Sequence, residues 1–347
     1  MKKVLTVLLA LTLILGVFSG CGGESGSDKN EVNVYNWGEY IDMSLLDEFE
    51  EETGIKVNYN TYENNEQMYS VLKQGGVSYD VVIPSDYMVA RMIDEDMLEP
   101  LAFENVTNFV FIEDSLKNMA YDPDNTYSIP YMWGTVGIIY DPNVVGEVTS
   151  WSALFDPANT GKTLMFDNSR DAFGIALKYL GYSLNTTNET ELNEAYELLE
   201  QQKPILQGYV MDQIFDKLES GEAAIGPYYA GDYFLMLENN PDLKFCIPTE
   251  GTNVFVDAMC VLKGAENKEN AEKFINFMSR ADVSRRNSEF IGYTSPNSEA
   301  KELLDVDEYQ LSVMYPSDEL LANCEAFANL PQATLDWYSD AWARLKS

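Results

Sequence analysis

The sequence predicts an α/β fold divided between two domains. Apolar runs of strand length alternate along the chain with stretches that carry an apolar stripe at helical spacing. The chain has 347 residues, 46% of them hydrophobic, which is enough for two separate cores. An extended run over residues 127–140 contains Gly134 and Gly137, and such a strand can bend as it leaves one domain and enters the next. We therefore expect two α/β domains linked by crossing strands.

The N-terminus has the pattern of a targeting segment rather than of a folded element. Two lysines precede an apolar run over residues 4–18, and small residues lead to Cys21. This pattern resembles a bacterial lipoprotein signal, in which the cysteine becomes the lipidated first residue. We expect residues 1–20 to be removed, Cys21 to carry the lipid, and residues 21–30, rich in glycine, serine and charge, to form a flexible tether.

The composition limits the partners and the chemistry. With 57 acidic and 22 basic residues, the formal net charge is −35, which repels nucleic acid and anionic lipid and attracts cations. Surface acidity for solubility explains most of that charge. Histidine is absent, which excludes histidine triads and histidine-containing zinc sites. Cys246, Cys260 and Cys324 lack paired ligand spacing, so we expect buried thiols or a single disulfide, and neither a metal site nor a cofactor.

In the first domain, polar and aromatic residues follow the ends of predicted strands. The first strand ends in Trp37-Gly38-Glu39-Tyr40, just before a helix that begins near Ser44. The apolar strand over 79–83 ends in Pro84-Ser85-Asp86-Tyr87. Such folds bind ligands beyond the carboxyl ends of their strands, and an acid between aromatic rings suits an organic cation. The other elements predicted here are a helix ending at Gly54, a strand over 55–59 and a helix over 66–74.

The second domain repeats this arrangement. A strand over 163–166 ends in residues 167–171, and another apolar run leads into Tyr229-Ala230-Gly231-Asp232. Asp171 is also placed to cap a helix that begins near Ala172, just as Glu39 and Asp257 could serve as caps. Asp257 stands among apolar strand residues, where an acid needs a buried partner or a cationic ligand. The remaining predicted elements are a return strand over 254–259, a helix over 268–278, a loop over 291–297 and a final helix in which Leu335, Tyr338, Trp342 and Leu345 pack against the core.

Taken in order, these blocks resemble the bacterial polyamine-binding proteins, the spermidine/putrescine-binding components of ATP-driven importers. The resemblance extends from about Val32 to the C-terminus. It implies a type II periplasmic-binding-protein-like fold in which two lobes close on a ligand. Lobe 1 would comprise residues 31–135 and 258–304, and lobe 2 residues 136–257 and 305–347.

The resemblance also implies which residues bind the ligand. Its aromatic box would comprise Trp37, Tyr40, Tyr87, Tyr229, Phe255 and Tyr293. Its amine-binding acids would be Glu39, Asp171, Asp232 and Asp257, with Ser85, Asp86 and Asn168 beside them. It implies no catalytic residue, a membrane permease and its ATPase as partners, and a monomer held outside the cell membrane by its lipid.

Departures from the family pattern affect the expected specificity. Asn168 stands where spermidine-preferring members carry an acid, so one carboxylate is missing from that end of the cleft. Asp232 matches an acid of putrescine-preferring members. Around residues 327–331 we cannot place a glutamine that some members use. The first two differences favour putrescine.

Other functions use some of the same residues. The pair Tyr228 and Tyr229 resembles the adjacent tyrosines of ferric-ion-binding proteins, which share the two-lobed architecture. A hydrolase such as a glycosidase could use two of the acids, although no nucleophile and base occur together. A structural or adhesive lipoprotein would show no saturable binding of a small ligand.

Overall fold

A computed structural model of the chain describes residues 30–347. The predicted targeting segment, Cys21 and nearly all of the predicted tether lie outside these residues. The strands are β1 (Glu31–Trp37), β2 (Lys56–Tyr62), β3 (Val81–Val82), β4 (Ser128–Tyr140), β5 (Thr163–Phe166), β6 (Leu206–Val210), β7 (Ile225–Tyr229), β8 (Lys244–Cys246) and β9 (Val254–Val261).

Helices follow most of these strands, as an α/β fold requires. They are α1 (Ser44–Thr53), α2 (Asn65–Gln74), α3 (Asp86–Asp94), α4 (Pro142–Val145), α5 (Ser169–Tyr179), α6 (Glu189–Gln202), α7 (Gln213–Glu219), α8 (Ala230–Leu237), α9 (Lys268–Met278), α10 (Ala281–Ile291), α11 (Ser298–Glu302), α12 (Glu308–Met314), α13 (Asp318–Leu321) and α14 (Gln332–Lys346). None of the described helices has the length and apolar character that crossing a bilayer requires.

The strands join in one sheet in the order β2-β1-β3-β9-β4-β7-β5-β6, and β8 pairs with β4. On one side β2, β1 and β3 are parallel, and on the other β6, β5 and β7 are parallel. Between these groups, β9 and β4 run antiparallel to their neighbours. The chain therefore crosses between two parallel α/β units through β4 and β9.

Strand β4 belongs to both units. Its residues from Ser128 to Thr135 pair with β9, and those from Val136 to Tyr140 pair with β7. All of its side chains are buried. Gly134 lies opposite Phe255, and a Cβ atom there would come within 2.8 Å of Phe255 Cζ. The glycine therefore lets the Phe255 ring lie across β4.

The described residues form two hydrophobic cores. The first packs β1, β3 and the first half of β4 against α1, α3 and α9, with Phe49 and Phe274 in edge-to-face contact. The second packs β5 and β7 against α5, α6, α8 and α14, with Trp151 and Phe173 fully buried. We call the parts of the chain around these cores the first lobe and the second lobe. The predicted packing face of the last helix is confirmed at Tyr338 and Leu345.

One predicted helix start differs from the structure by more than one residue. Gly54 caps α1 in the left-handed conformation at φ +69°, as its position after an apolar stripe predicts. Helix α5, however, begins at Ser169 rather than near Ala172, because the side chain of Asn168 accepts a hydrogen bond from the backbone N–H of Arg170. The expectation that Asp171 caps this helix is therefore wrong, and Asp171 lies within its first turn.

Candidate functional site

The candidate site lies between the two lobes, where residues that follow β1, β3, β5 and β7 meet β9 and the loop after α10. Asp257 of β9 is at its centre. Tyr40 Oη donates a hydrogen bond to Asp257 Oδ2 at 2.7 Å, and Ser85 Oγ donates to Asp257 Oδ1 at 2.6 Å. Asp257 as a whole residue is only 5% exposed. The three residues from separate blocks thus form one buried acceptor site.

Two further acids come from the second lobe. Tyr229 Oη donates to Asp171 Oδ2 at 3.4 Å, within that lobe. Tyr293 Oη, from the loop after α10, donates to Asp232 Oδ2 at 2.8 Å and so joins the first lobe to α8. The same loop approaches α8 closely, because a Cβ atom on Gly231 would lie 2.6 Å from Tyr293 Cδ2. The lobes are in direct contact here.

A row of aromatic rings connects these acids. Ring centroids are 5.2 Å apart for Tyr40 and Tyr293, 6.0 Å for Tyr293 and Phe255, and 5.5 Å for Phe255 and Tyr229. The planes of these neighbouring rings are steeply inclined, so edges meet faces. The row begins beside Asp257, whose strand neighbours Val256 and Ala258 belong to the first core, and ends beside Asp171 in the second lobe.

Burial raises the pKa of four aspartates around this row. The pKa rises to about 8 for Asp86, about 7 for Asp171 and Asp232, and about 6 for Asp257. Hydrogen bonds from Ser85 and Tyr40 act against this rise at Asp257, while the negative charge of Asp257 adds to it at Asp86. A cation between these groups would favour their charged forms.

The remaining predicted residues lie around this centre. Trp37 Nε1 donates to the carbonyl of Ile83 at 2.9 Å, so the indole is fixed against the end of β3. Tyr87 Oη donates to Glu66 Oε1 at 3.0 Å. Asn168 caps α5. Glu39 is exposed at the turn after β1 and has a left-handed backbone with φ +50°.

Sequence reasoning missed two residues that contribute to this region. Tyr131 Oη donates to the carbonyl of Tyr40 at 2.6 Å and accepts from Asn287 Nδ2. These two hydrogen bonds fix the backbone that carries the Tyr40 ring. Arg170 lies in the first turn of α5, although a cation there opposes the helix dipole. That local conflict is the signal that could have identified it.

The tyrosine pair does not favour iron. Tyr228 Oη donates to Asp212 Oδ1 at 3.0 Å, and burial raises the pKa of both Tyr228 and Tyr229, which disfavours the tyrosinate that would bind a ferric ion. Within residues 30–347 no cluster of three or more acidic or cysteine side chains has the arrangement of a metal site. The described cysteines are free thiols, so the alternative of a disulfide among them is not observed.

Comparison with known proteins places this architecture in a family. The family model of bacterial extracellular solute-binding proteins matches residues 44–321. The spermidine/putrescine-binding periplasmic protein of Escherichia coli is 36% identical over 94% of this chain and 95% of its own length.

Two solved structures share the fold at similar identity. The spermidine/putrescine ABC transporter substrate-binding protein of Streptococcus pneumoniae is 37% identical with a TM-score of 0.84, over 91% of this chain and 98% of that one. The TpPotD lipoprotein of Treponema pallidum is 30% identical with a TM-score of 0.83, over 91% and 99%. This chain, with two α/β lobes that meet around a buried acid and a row of aromatic rings, belongs to the bacterial extracellular solute-binding protein family.

Proposed function

We propose that this protein captures a polyamine, putrescine or spermidine, between its lobes and delivers it to an ATP-driven importer. One observation carries the proposal: the aromatic row links the buried carboxyl group of Asp257 to the acids of the second lobe. The names of the similar proteins support the same ligand class.

The chemistry of a polyamine matches this arrangement. Its amino groups, with a pKa near ~10.4, are charged at neutral pH and need carboxylate partners when water is removed. Its methylene groups gain about 0.8 kcal/mol each on burial, and aromatic rings add about 0.5–2 kcal/mol for each cation contact. The hydroxyl groups of Tyr40 and Tyr293 stay protonated because burial raises their pKa well above the usual value. They can therefore keep orienting the carboxylates when an amine binds.

We assign the amine partners by position. Asp257 would hold one ammonium group, and Asp171 or Asp232 the other, with Phe255 and Tyr293 against the methylene chain. Exposed Glu39 would contact the amine from the solvent side. Putrescine suits this set better than spermidine, because Asn168 caps α5 instead of adding a carboxylate at the second-lobe end.

Calorimetric titration tests the proposal. We expect saturable binding of putrescine and spermidine and none of butylamine, which has the same carbon chain as putrescine but a single charge. Equal binding of butylamine would contradict a site built for two charges. A titration that gives no heat and no thermal shift with either polyamine would show that the proposed function is wrong.

We also infer where the protein works. The N-terminal pattern and the similarity to the TpPotD lipoprotein of Treponema pallidum support lipidation at Cys21 and attachment to the outside of the cell membrane. The protein would act as a monomer without catalytic activity, with a permease and its ATPase as partners. The protein should incorporate a labelled fatty acid when it is expressed, and a Cys21→Ser variant should not; equal labelling of the variant, or no labelling of the parent, would contradict the anchor at Cys21.

A further inference from the structure

Asp212 is an acid of the second lobe that has no place among the amine partners assigned above. It is exposed and stands at the N-cap of α7, where an aspartate usually accepts a hydrogen bond from the first turn of the helix. Its side chain makes no such bond. Asp212 Oδ1 instead accepts a hydrogen bond from Tyr228 Oη at 3.0 Å. The carboxylate is therefore turned away from its own helix and toward β7.

Strand pairing places Asp212 at the second-lobe end of the cleft. Strands β5 and β6 are parallel, and Phe166 pairs with Val210 at their carboxyl ends. Asn168 and Asp212 each follow this pair by two residues, so both lie at the same edge of the sheet. Asn168 caps the helix whose first turn carries Asp171. Asp212 thus supplies a carboxylate beside a position that offers none.

The row of aromatic rings continues toward this acid. The centroid of Tyr228 lies 5.1 Å from that of Tyr229, and the Tyr228 ring stacks on Phe166 at 5.5 Å. Because Tyr228 Oη bonds to Asp212, the row joins that carboxylate to the acids already described. Burial raises the pKa of Asp232, and the negative charge of Asp212 raises it further, so the two acids are in electrostatic contact.

We propose that Asp212 is a third amine partner, which holds the terminal ammonium group on the aminopropyl arm of spermidine. The four-carbon diamine part of spermidine would lie as putrescine does, and the arm would extend past Tyr229. The inference rests on the proposed function, because it extends the same cleft to a triamine. Among residues 30–347 only Oδ1 of Asp212 accepts a hydrogen bond, which leaves Oδ2 for the ammonium group. Asp212 thus reduces the preference for putrescine without abolishing it.

A cycle of two ligands and two proteins tests the assignment by calorimetry. N-propylputrescine has the carbon chain of spermidine but lacks the terminal ammonium group. The parent should bind spermidine about fivefold more tightly than N-propylputrescine, the size of effect that an exposed ion pair can give. In Asp212→Asn this difference should disappear, because the amide can still accept from Tyr228 but carries no charge. Asp212→Glu, which keeps the charge, should retain part of the difference.

Asp216→Asn is the matched control. Asp216 is also exposed and lies one turn along the same helix, so this variant has the same change in net charge. It should keep the fivefold difference between the two ligands. If Asp212→Asn and Asp216→Asn reduce that difference equally, Asp212 acts only through the overall field of the protein, and the assignment is wrong.

Putrescine titrations of the same proteins separate this inference from the proposed function. If the parent binds putrescine and Asp212→Asn still distinguishes spermidine from N-propylputrescine as the parent does, the third partner is wrong and the proposed function stands. If the parent binds neither putrescine nor spermidine, the proposed function fails and the third partner fails with it. Loss of the difference in Asp212→Asn alone supports both.

Discussion

Asp257 shows how one residue combines binding with a cost to stability. Two hydroxyl donors satisfy its carboxyl group, but burial still raises its pKa to about 6, so the ionised form lacks a positive partner. An ammonium group would supply that partner. Burial of this charge lowers the stability of the protein without ligand. The ammonium group of a bound amine would offset that loss.

Asp257→Asn should separate these two effects. We expect putrescine affinity to fall well over tenfold, about 2–5 kcal/mol, because one ammonium group loses its buried counterion. The unfolding midpoint at pH 8 without amine should not fall, because the buried charge is removed, the amide oxygen can accept from one of the hydroxyls of Tyr40 and Ser85, and the amide NH2 group can donate to the other. The control is Asp242→Asn, an exposed position with the same change of charge. Unchanged affinity in Asp257→Asn would show that Asp257 is not an amine partner.

Glu39 provides a second test of the same kind. A glutamate at φ +50° occupies a left-handed conformation that glycine adopts without strain. Glu39→Gly should therefore stabilise the fold by about 0.5–1 kcal/mol and weaken amine binding by about twofold to fivefold. In the control Asp96→Gly, an acid at φ +57° outside the cleft, only the unfolding midpoint should rise. Equal affinity in both variants would show that Glu39 does not contribute to amine binding.

Single residues could be predicted from the sequence only where their type conflicts with the element that contains them. Asp257 is such a residue, since an acid in an apolar strand demands a partner. Its partners, 217 residues away at Tyr40 and 172 residues away at Ser85, depend on the antiparallel pairing of β9 with β3. The pairing of these strands is not visible in any short stretch of sequence. The three residues could therefore be predicted, but the hydrogen bonds between them could not.

At the scale of elements, the boundaries of strands and helices place the polar blocks together. The strand over Thr163–Phe166 and the helix over Lys268–Met278 have the bounds that periodicity predicts. The sequence pattern predicts the start of α5 three residues too late, because Asn168 is the N-cap and Asp171 is not. That error also hid Arg170, which lies inside the helix and not in a loop.

Gly231 tests the contact between α8 and the loop after α10. A Cβ atom there would lie 2.6 Å from Tyr293 Cδ2 and 2.9 Å from the carbonyl oxygen of Gly292, so Gly231→Ala must push the lobes apart. We expect putrescine binding to weaken about tenfold or more, while each lobe stays folded. Gly208→Ala is the control in the same lobe, since a Cβ atom there meets no atom within 4 Å. Equal calorimetric affinity in the two variants would contradict a role for this contact in binding.

At the scale of the whole molecule, the cleft concentrates acids whose protonation is linked to both stability and binding. Burial raises the pKa of Asp86 to about 8, of Asp171 and Asp232 to about 7, and of Asp257 to about 6. In the unfolded chain these groups titrate near ~3.9. The folded protein therefore holds these protons more tightly than the unfolded chain does.

The sign of the pH dependence follows from that difference. The contribution of these acids to stability without amine is complete below about pH 4 and is lost as the pH rises to about 8. Amine binding favours the ionised forms, so putrescine affinity should rise from pH 5.5 to pH 8. Calorimetry and thermal unfolding at pH 5.5, 7 and 8.5 measure both trends. An affinity that is constant over this range would contradict carboxylate partners with raised pKa values.

The two-lobed fold and the ligand class could be predicted from the sequence, because the polar and aromatic residues at strand ends form short blocks whose order along the chain can be recognised. The contact between lobes could not be predicted, since it depends on how Tyr293 meets Asp232 and how closely Gly231 approaches Gly292. These distances result from the packing of both cores together.

A crystal structure of the protein with putrescine tests the central claim most directly. The predicted result is a diamine between the lobes, with one ammonium group on the carboxylate of Asp257, the methylene groups along Tyr293 and Phe255, and the other ammonium group beside Asp171 or Asp232. Density for the amine outside the cleft, or within it but away from Asp257, would contradict the proposed site.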